Sequence, residues 1–318
     1  MHCRTLVWLT AILAPSLSVA QESEEVPRSQ WEAVTHVGAG YDTNANGSTV
    51  GQGFLGFTPD PHLNATESPF AEAGFIVEHT ANLAPQKGFI SVFQLSHRVN
   101  PEASFVDQSI VALGTEAVLI RGNTRFSLGV NGYASWLEGD NWDDERAGNV
   151  DIAVTHRPDT FETTLTIRTS RLSNSPVDFE PFDMDRYLAG LSFTRSDIGA
   201  RAGTVGVTFL GGRDAPRRTG SPFGNNRGGA HLSASLPLRA GLTGYLELSS
   251  LRTDYAGHFF GADRHDDQHS AAAALEFEGW PQDKWTITPQ VRWVQNDSTV
   301  SLYAYDRIEA VVYVRRAL

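Results

Sequence analysis

The sequence predicts an all-β fold, an antiparallel transmembrane up-and-down β-barrel of about 14 strands. Three observations lead there. Apolar residues recur at every second position in segment after segment; the connections alternate between short turns and long polar loops; and beyond residue 20 no run of 18 apolar residues could serve as a helical span. Hydrocarbon offers no water to a strand backbone, so every amide must find a partner and no sheet edge can stay open. A closed barrel meets both demands.

The alternation begins with Ala71, Ala73, Phe75 and Val77 set against Glu72, Gly74, Ile76 and Glu78, then Phe126, Leu128 and Val130 against Arg125, Ser127 and Gly129. Val150, Ile152 and Val154 follow, then Phe161, Thr163, Leu165 and Ile167. Tyr187 to Phe193, Val205 to Phe209, Ala230 to Leu236, Leu242 to Leu248 and Ala271 to Phe277 continue it; Trp285 to Trp293 and Ile308 to Val314 end it. Each segment approaches the roughly 9 to 11 residues that a tilted strand needs to cross a bilayer. The other face carries Glu, Arg, Asn, Thr and Gly, so it must look into a polar lumen. Its charged candidates are Glu72, Glu78, Arg125, Asp151, Glu162, Arg168, Arg186, Glu247, Glu276, Glu278 and Arg292. Their mixed signs predict internal ion pairs and a partly filled interior.

The expected short turns, Leu83 to Gly88, Arg121 to Asn123, Arg157 to Thr160, Ser196 to Arg201, Pro237 to Gly241 and Gly279 to Lys284, contain Gly, Pro, Asn or Asp. The expected long loops are Asp42 to Ser68, Leu137 to Arg146, Arg171 to Asp185, Gly212 to Arg227 and Arg252 to Asp267. This asymmetry is that of an outer-membrane barrel, with periplasmic turns and long outer loops. Tyr41, Trp136, Tyr187, Phe209, Trp280, Trp285 and Tyr313 lie near strand ends, where interfacial aromatic girdles form.

Residues 1–20 read as a secretory signal: Arg4, an apolar run from Leu6 to Ala14, and a small-x-small pattern at Ser18-Val19-Ala20 that places cleavage after Ala20. Residues 21–31 make a short periplasmic segment and 32–318 the barrel. The one cysteine, Cys3, lies inside the signal, so the mature chain is expected to have no disulfide, cysteine nucleophile or thiolate metal site. Losing Arg4 leaves 24 Lys and Arg against 37 Asp and Glu, a net charge of −13, which argues against nucleic acid as a partner.

No Gly-x-Ser-x-Gly elbow, His-Glu-x-x-His motif or phosphate loop is present. His36, His79, His97, His156, His231 and Ser249 offer the residue types of a rim-located lipid hydrolase, but strand histidines on a polar face read first as lumen residues bonded to their neighbours. Asp140 to Glu145 and Asp263 to His269 offer oxygen ligands for calcium, without the spacing of a calcium loop. The expectation is a non-enzymatic chain with no catalytic, metal or cofactor residue, whose partners are outer-membrane lipids and the barrel-assembly machinery.

The two ends carry a resemblance. Gly38-Ala39-Gly40-Tyr41-Asp42-Thr43-Asn44-Ala45-Asn46-Gly47-Ser48 opens the first strand, and Leu302 to Leu318 closes the chain through Tyr303-Ala304-Tyr305-Asp306-Arg307. They are similar to the C-terminal barrel of the surface lipoprotein assembly modifier (Slam) family, whose members usually carry a tetratricopeptide domain ahead of the barrel. The resemblance implies a conduit or assembly platform for surface export of a lipoprotein client, with a separate tetratricopeptide protein supplying the missing module. The polar strand faces alone imply the alternative, a general small-solute porin.

Overall fold

The computed structural model describes residues 28–45, 65–137, 144–175, 183–199, 201–259, 261–280 and 282–318. They form one closed barrel of fourteen antiparallel strands in sequence order, with the first paired to the last. The strands are β1 (Ser29–Asp42), β2 (Ser68–Ala84), β3 (Lys87–Val99), β4 (Gln108–Arg121), β5 (Thr124–Leu137), β6 (Asp144–His156) and β7 (Phe161–Ser175). They continue as β8 (Met184–Ile198), β9 (Gly203–Pro216), β10 (Asn225–Arg239), β11 (Leu242–Phe259), β12 (Ala262–Glu278), β13 (Trp285–Ser298) and β14 (Tyr305–Ala317). The expected signal lies outside the described residues, as do 46–48 of the opening motif and 140–143 of the first acidic stretch.

Cross-strand partners share a face, and the registers carry one phase around the whole barrel. His36 pairs with Gly74, Gly74 with Ser96, Ser96 with Ile110, and so on to Arg292 with Glu309, all on the concave side. Every apolar series read from the sequence falls on the opposite, convex side. There Leu113, Leu128, Ile152, Ile167, Phe209 and Val291 are each more than half exposed. Large aliphatic side chains displayed around a full perimeter have no counterpart in a water-soluble sheet, whose apolar face turns inward. Here the apolar face covers the outside and the ion pairs occupy the inside, the inversion that a hydrocarbon solvent imposes.

All fourteen strands exceed the length that the apolar band requires. β11 has 18 residues, about 60 Å at ~3.3 Å per residue, against an apolar band about 25 Å tall. The excess stands at the long-loop end and corrects several expected boundaries. Arg252 to Asp267 is not a loop: β11 and β12 run on as a paired hairpin, with Arg252 opposite Asp267 and Asp254 opposite His265. Likewise β9 continues to Pro216 and β10 starts at Asn225, leaving a loop of 217–224. Polarity on both faces marks a strand that has left the lipid, because its ladder hydrogen bonds persist while its outward face meets water. Two outer turns were not anticipated; each holds a short 3₁₀ segment, Ser104–Val106 and Ser301–Tyr303. At the other end β1 begins at Ser29, because Ser29 to Trp31 pair with Ala81 to His79.

Tyr41, Trp136, Tyr187 and Phe209 stand outward and exposed, and Trp280 is exposed in a short turn. Tyr313 does not join this girdle. It pairs in register with Gly38 and Thr288 on the concave side, and its ring lies so close that a Cβ at Gly38 would come within 2.7 Å of it. Phe70 covers Gly40 in the same way, also at 2.7 Å. Glycine at these two positions lets aromatic rings lie flat on the closing strands, which stiffens them.

Candidate functional site

The two end motifs meet. The Asp42 carboxylate is wholly buried where β1 leaves the barrel, 0% exposed. It accepts from the backbone N–H of Asn44 at 3.0 Å, from Arg307 Nε at 3.0 Å and from Arg98 Nη2 at 2.9 Å. Arg98 also donates to Glu309 at 2.8 Å and to Asn100 at 3.1 Å, and its guanidinium stacks 3.6 Å above the Phe70 ring. Asn44 donates to the Asp306 carbonyl at 3.0 Å, while Thr43 N–H bonds the Ile308 carbonyl and the Ile308 N–H bonds the Thr43 hydroxyl. Opening and closing motifs are thus two halves of one latch across the β1–β14 seam. Arg98 on β3 reaches Glu309 on β14 past two intervening strands, which only a concave surface allows.

A second cluster fills the outer mouth on the side of β8 to β14. Asp214, 1% exposed, binds Arg186 at 2.8 and 2.9 Å, Arg227, and the Asn225 amide at 3.3 Å. Beside it Arg264 is enclosed by Tyr255, Phe259 and Tyr303, with its charge centre 3.3 Å from the Tyr303 ring centroid, and it donates to Asp266 at 3.0 Å. Phe223 from the 217–224 loop and Val300 from the β13–β14 turn join Phe259 and Tyr303 in a small apolar core. Two outer loops are thereby packed onto the extended β11–β12 hairpin as a cap on this side of the mouth.

The opposite wall is open. Along β4 to β7, Arg125 pairs with Glu116 at 3.1 Å, and Asp151 receives Arg168 and, at 2.6 Å, the Asn131 amide. Asn149 and Tyr133, hydrogen-bonded to Asn131 and Glu145, continue the polar surface. The Arg168 side chain is 42% exposed although it points inward, so this wall faces water-accessible space. Nearer the short turns Glu247, 50% exposed, lies 3.9 Å from His231.

All eleven charged lumen candidates sit on the concave face. Sequence reading missed Arg98, Glu116, Asp214 and Arg227 as lumen charges, and it placed Asp42, Arg307, Glu309 and Arg315 only in the end motifs and Arg264 and Asp266 only in an acidic stretch. Those on β8 to β14 occupy the phase opposite to their strand's apolar series, the signal that identifies them; for Asp42, Arg98 and Glu116 the inward phase is given by the registers of β1, β3 and β4. The histidines divide. His36 lies 3.3 Å from Glu72 inside, whereas His79, His97 and His156 face outward, next to Ser29, Ser109 and Thr124 at 2.9, 2.9 and 3.0 Å. Ser249 stands opposite His231 in register, yet its hydroxyl bonds Ser270 at 2.7 Å while His231 turns to Glu247. Among the described residues no serine and imidazole are joined to each other and to an orienting carboxylate. Asp263 to His269 lies on β12, where alternation sends Arg264 and Asp266 inward and Asp263, His265 and Asp267 outward, so these oxygens do not converge on one ion.

No known family profile matches the chain, and no curated protein sequence matches it. Among solved structures it is similar to OmpT (in-vitro folded), an outer membrane protein of Vibrio cholerae, at 7% identity and a TM-score of 0.50, covering 93% of this chain and 100% of that one. It is also similar to an anion-selective porin from Comamonas acidovorans at 9% identity and a TM-score of 0.47, covering 91% and 99%. A third is OccAB4 of Acinetobacter baumannii, at 9% identity and a TM-score of 0.46, covering 92% and 99%. At these identities the likeness is one of fold, a barrel of the outer-membrane type.

Proposed function

We propose that this protein is an outer-membrane channel for small hydrophilic solutes, acting without chemistry of its own. One observation carries the reading: inside a closed barrel with an apolar exterior, inward charged side chains of the β4 to β7 wall keep contact with open space, Arg125 27%, Glu116 34% and Arg168 42% exposed. Such a wall is costly in a plugged interior, where half-paired charges lose water, and is stable where water fills the space. Lipids meet the outward aliphatic belt, and the assembly machinery inserts the chain after export and removal of residues 1–20. Purified barrel reconstituted in planar bilayers is expected to give stepwise ionic conductance. A heat-modifiable, correctly folded barrel that conducts nothing would overturn this reading.

A second reading, a conduit for a surface-exposed lipoprotein of the Slam type, draws its support from the resemblance of Gly38 to Ser48 and Leu302 to Leu318 to that family's barrel ends. It stands second because the described motif residues are engaged in closing the seam, a task that a channel has equally. Deleting the gene should abolish surface exposure of a co-expressed lipoprotein if this reading holds; unchanged exposure sinks it.

A further inference from the structure

Charge inside this barrel is not spread evenly along its axis. At the long-loop end the arginines are all engaged: Arg98, Arg186, Arg227, Arg264 and Arg307 each hold an ion pair with Asp42, Asp214, Asp266 or Glu309. Positive and negative groups there cancel at contact distance, and the cap excludes most of the water around them.

The short-turn end differs. Within the first seven residues of each strand from that end, Asp151 and Glu162 are paired to Arg168 and Arg157, Glu116 to Arg125 and Glu276 to Arg315. Glu32, Glu78, Glu247 and Glu278 remain on the concave face with no ion pair to Arg or Lys among the described residues. Glu32 and Glu78 are direct cross-strand partners, an arrangement that normally destabilises a sheet. Among the described residues their carboxylates accept from neutral donors alone, Gln30 at 2.7 Å to Glu32 and Thr80 at 3.4 Å to Glu78. Glu247 lies 3.9 Å from His231, and Arg292 on β13, which has no ion pair among the described residues, faces the same space two strands away, so the carboxylates there stay in excess. These four carboxylates come from β1, β2, β11 and β12 and flank the closing seam from both sides; Glu32, Glu247 and Glu278 are exposed and face one aqueous space, while Glu78 lies buried beside Glu32 and adds its charge to the same field. Low-dielectric walls confine their field to that space and raise the local concentration of counter-ions.

We propose that the lumen passes cations in preference to anions, with the unpaired glutamates of the short-turn end as the residues that set the preference. This rests on the channel reading above. The solute class is small inorganic or organic cations, recognised by field and not by a fitted pocket.

The test is the zero-current potential of reconstituted protein across a potassium chloride gradient, in the wild type and in Glu32→Gln/Glu78→Gln/Glu247→Gln. A several-fold permeability preference for potassium in the wild type, lost in the triple variant and reversed in Glu32→Gln/Glu78→Gln/Glu247→Lys, is the expected result. Heat-modifiable migration checks that each variant folds, and Glu102→Gln, in the exposed outer β3–β4 turn, serves as the variant that leaves selectivity unchanged. Conductance without a cation preference, or a preference that survives the triple substitution, overturns this inference and leaves the channel reading standing. A folded barrel without conductance overturns both.

Discussion

The seam-side outer mouth and the β4–β7 wall use the same pair of residue types in opposite ways. Asp42 with Arg98 and Arg307 is sealed from water, whereas Asp151 with Arg168 lies beside open space. Burial makes the first pair a structural bond that cannot lose one partner cheaply. Exposure makes the second a surface contact, worth little to stability and free to act on whatever passes. The lesson is that an inward-facing charge in a barrel is assigned to architecture or to transport by its solvent contact, and residue type alone does not decide.

Four substitutions test that contrast, from the largest expected effect to the smallest. Asp42→Ala leaves Arg98 and Arg307 to share the single carboxylate of Glu309 and should lower stability by about 3 kcal/mol, read as the urea midpoint of barrels refolded into lipid vesicles; a loss below about 1 kcal/mol would erase the distinction. Tyr303→Ala removes one wall of the Arg264 enclosure and should cost about 3 kcal/mol, at the low end for a large aromatic because the cap borders water. Single-channel conductance of the same variant should rise as the cap loosens, and an unchanged value would mean that the cap does not narrow the path. Asp151→Asn should shift stability by less than about 1 kcal/mol yet alter conductance measurably, the reverse of Asp42→Ala. Ala202→Gly, in a short turn belonging to neither region, relieves a backbone with φ of 55° and should stabilise by about 1 kcal/mol, setting the scale for the others without touching conductance.

Much of this was legible in the sequence, and the reason is the period of two. Once Phe126, Leu128 and Val130 are assigned to lipid, Arg125 and Gly129 have nowhere to go but inward, and the same logic placed Glu72, Glu247 and Arg292. Tyr313 reads as a girdle residue by its position near a strand end, although Val312 and Val314 on either side fix it as inward. Partnership was not legible. Arg98 and Glu309 are 211 positions apart and reach each other across the curvature of a closed sheet, a distance set by strand number and stagger that no local pattern encodes. The outer extensions of β9 to β12 escaped notice because alternation is a record of lipid, and it fades where the strand enters water while the ladder continues.

The latch also says something about time. Asp42 and Arg307 are 265 residues apart, so the contact that completes the molecule joins nearly the first folded residues to nearly the last. Non-local closure of this kind is slow, since chain entropy is lost before the reward arrives. Until β14 docks, β1 presents a bare row of amides and carbonyls able to pair with any extended chain. A nascent copy lacking its final strand is therefore an adhesive sheet with two edges, and removing β14 should cause sudden failure and aggregation where a smaller version of the finished cylinder might have been imagined.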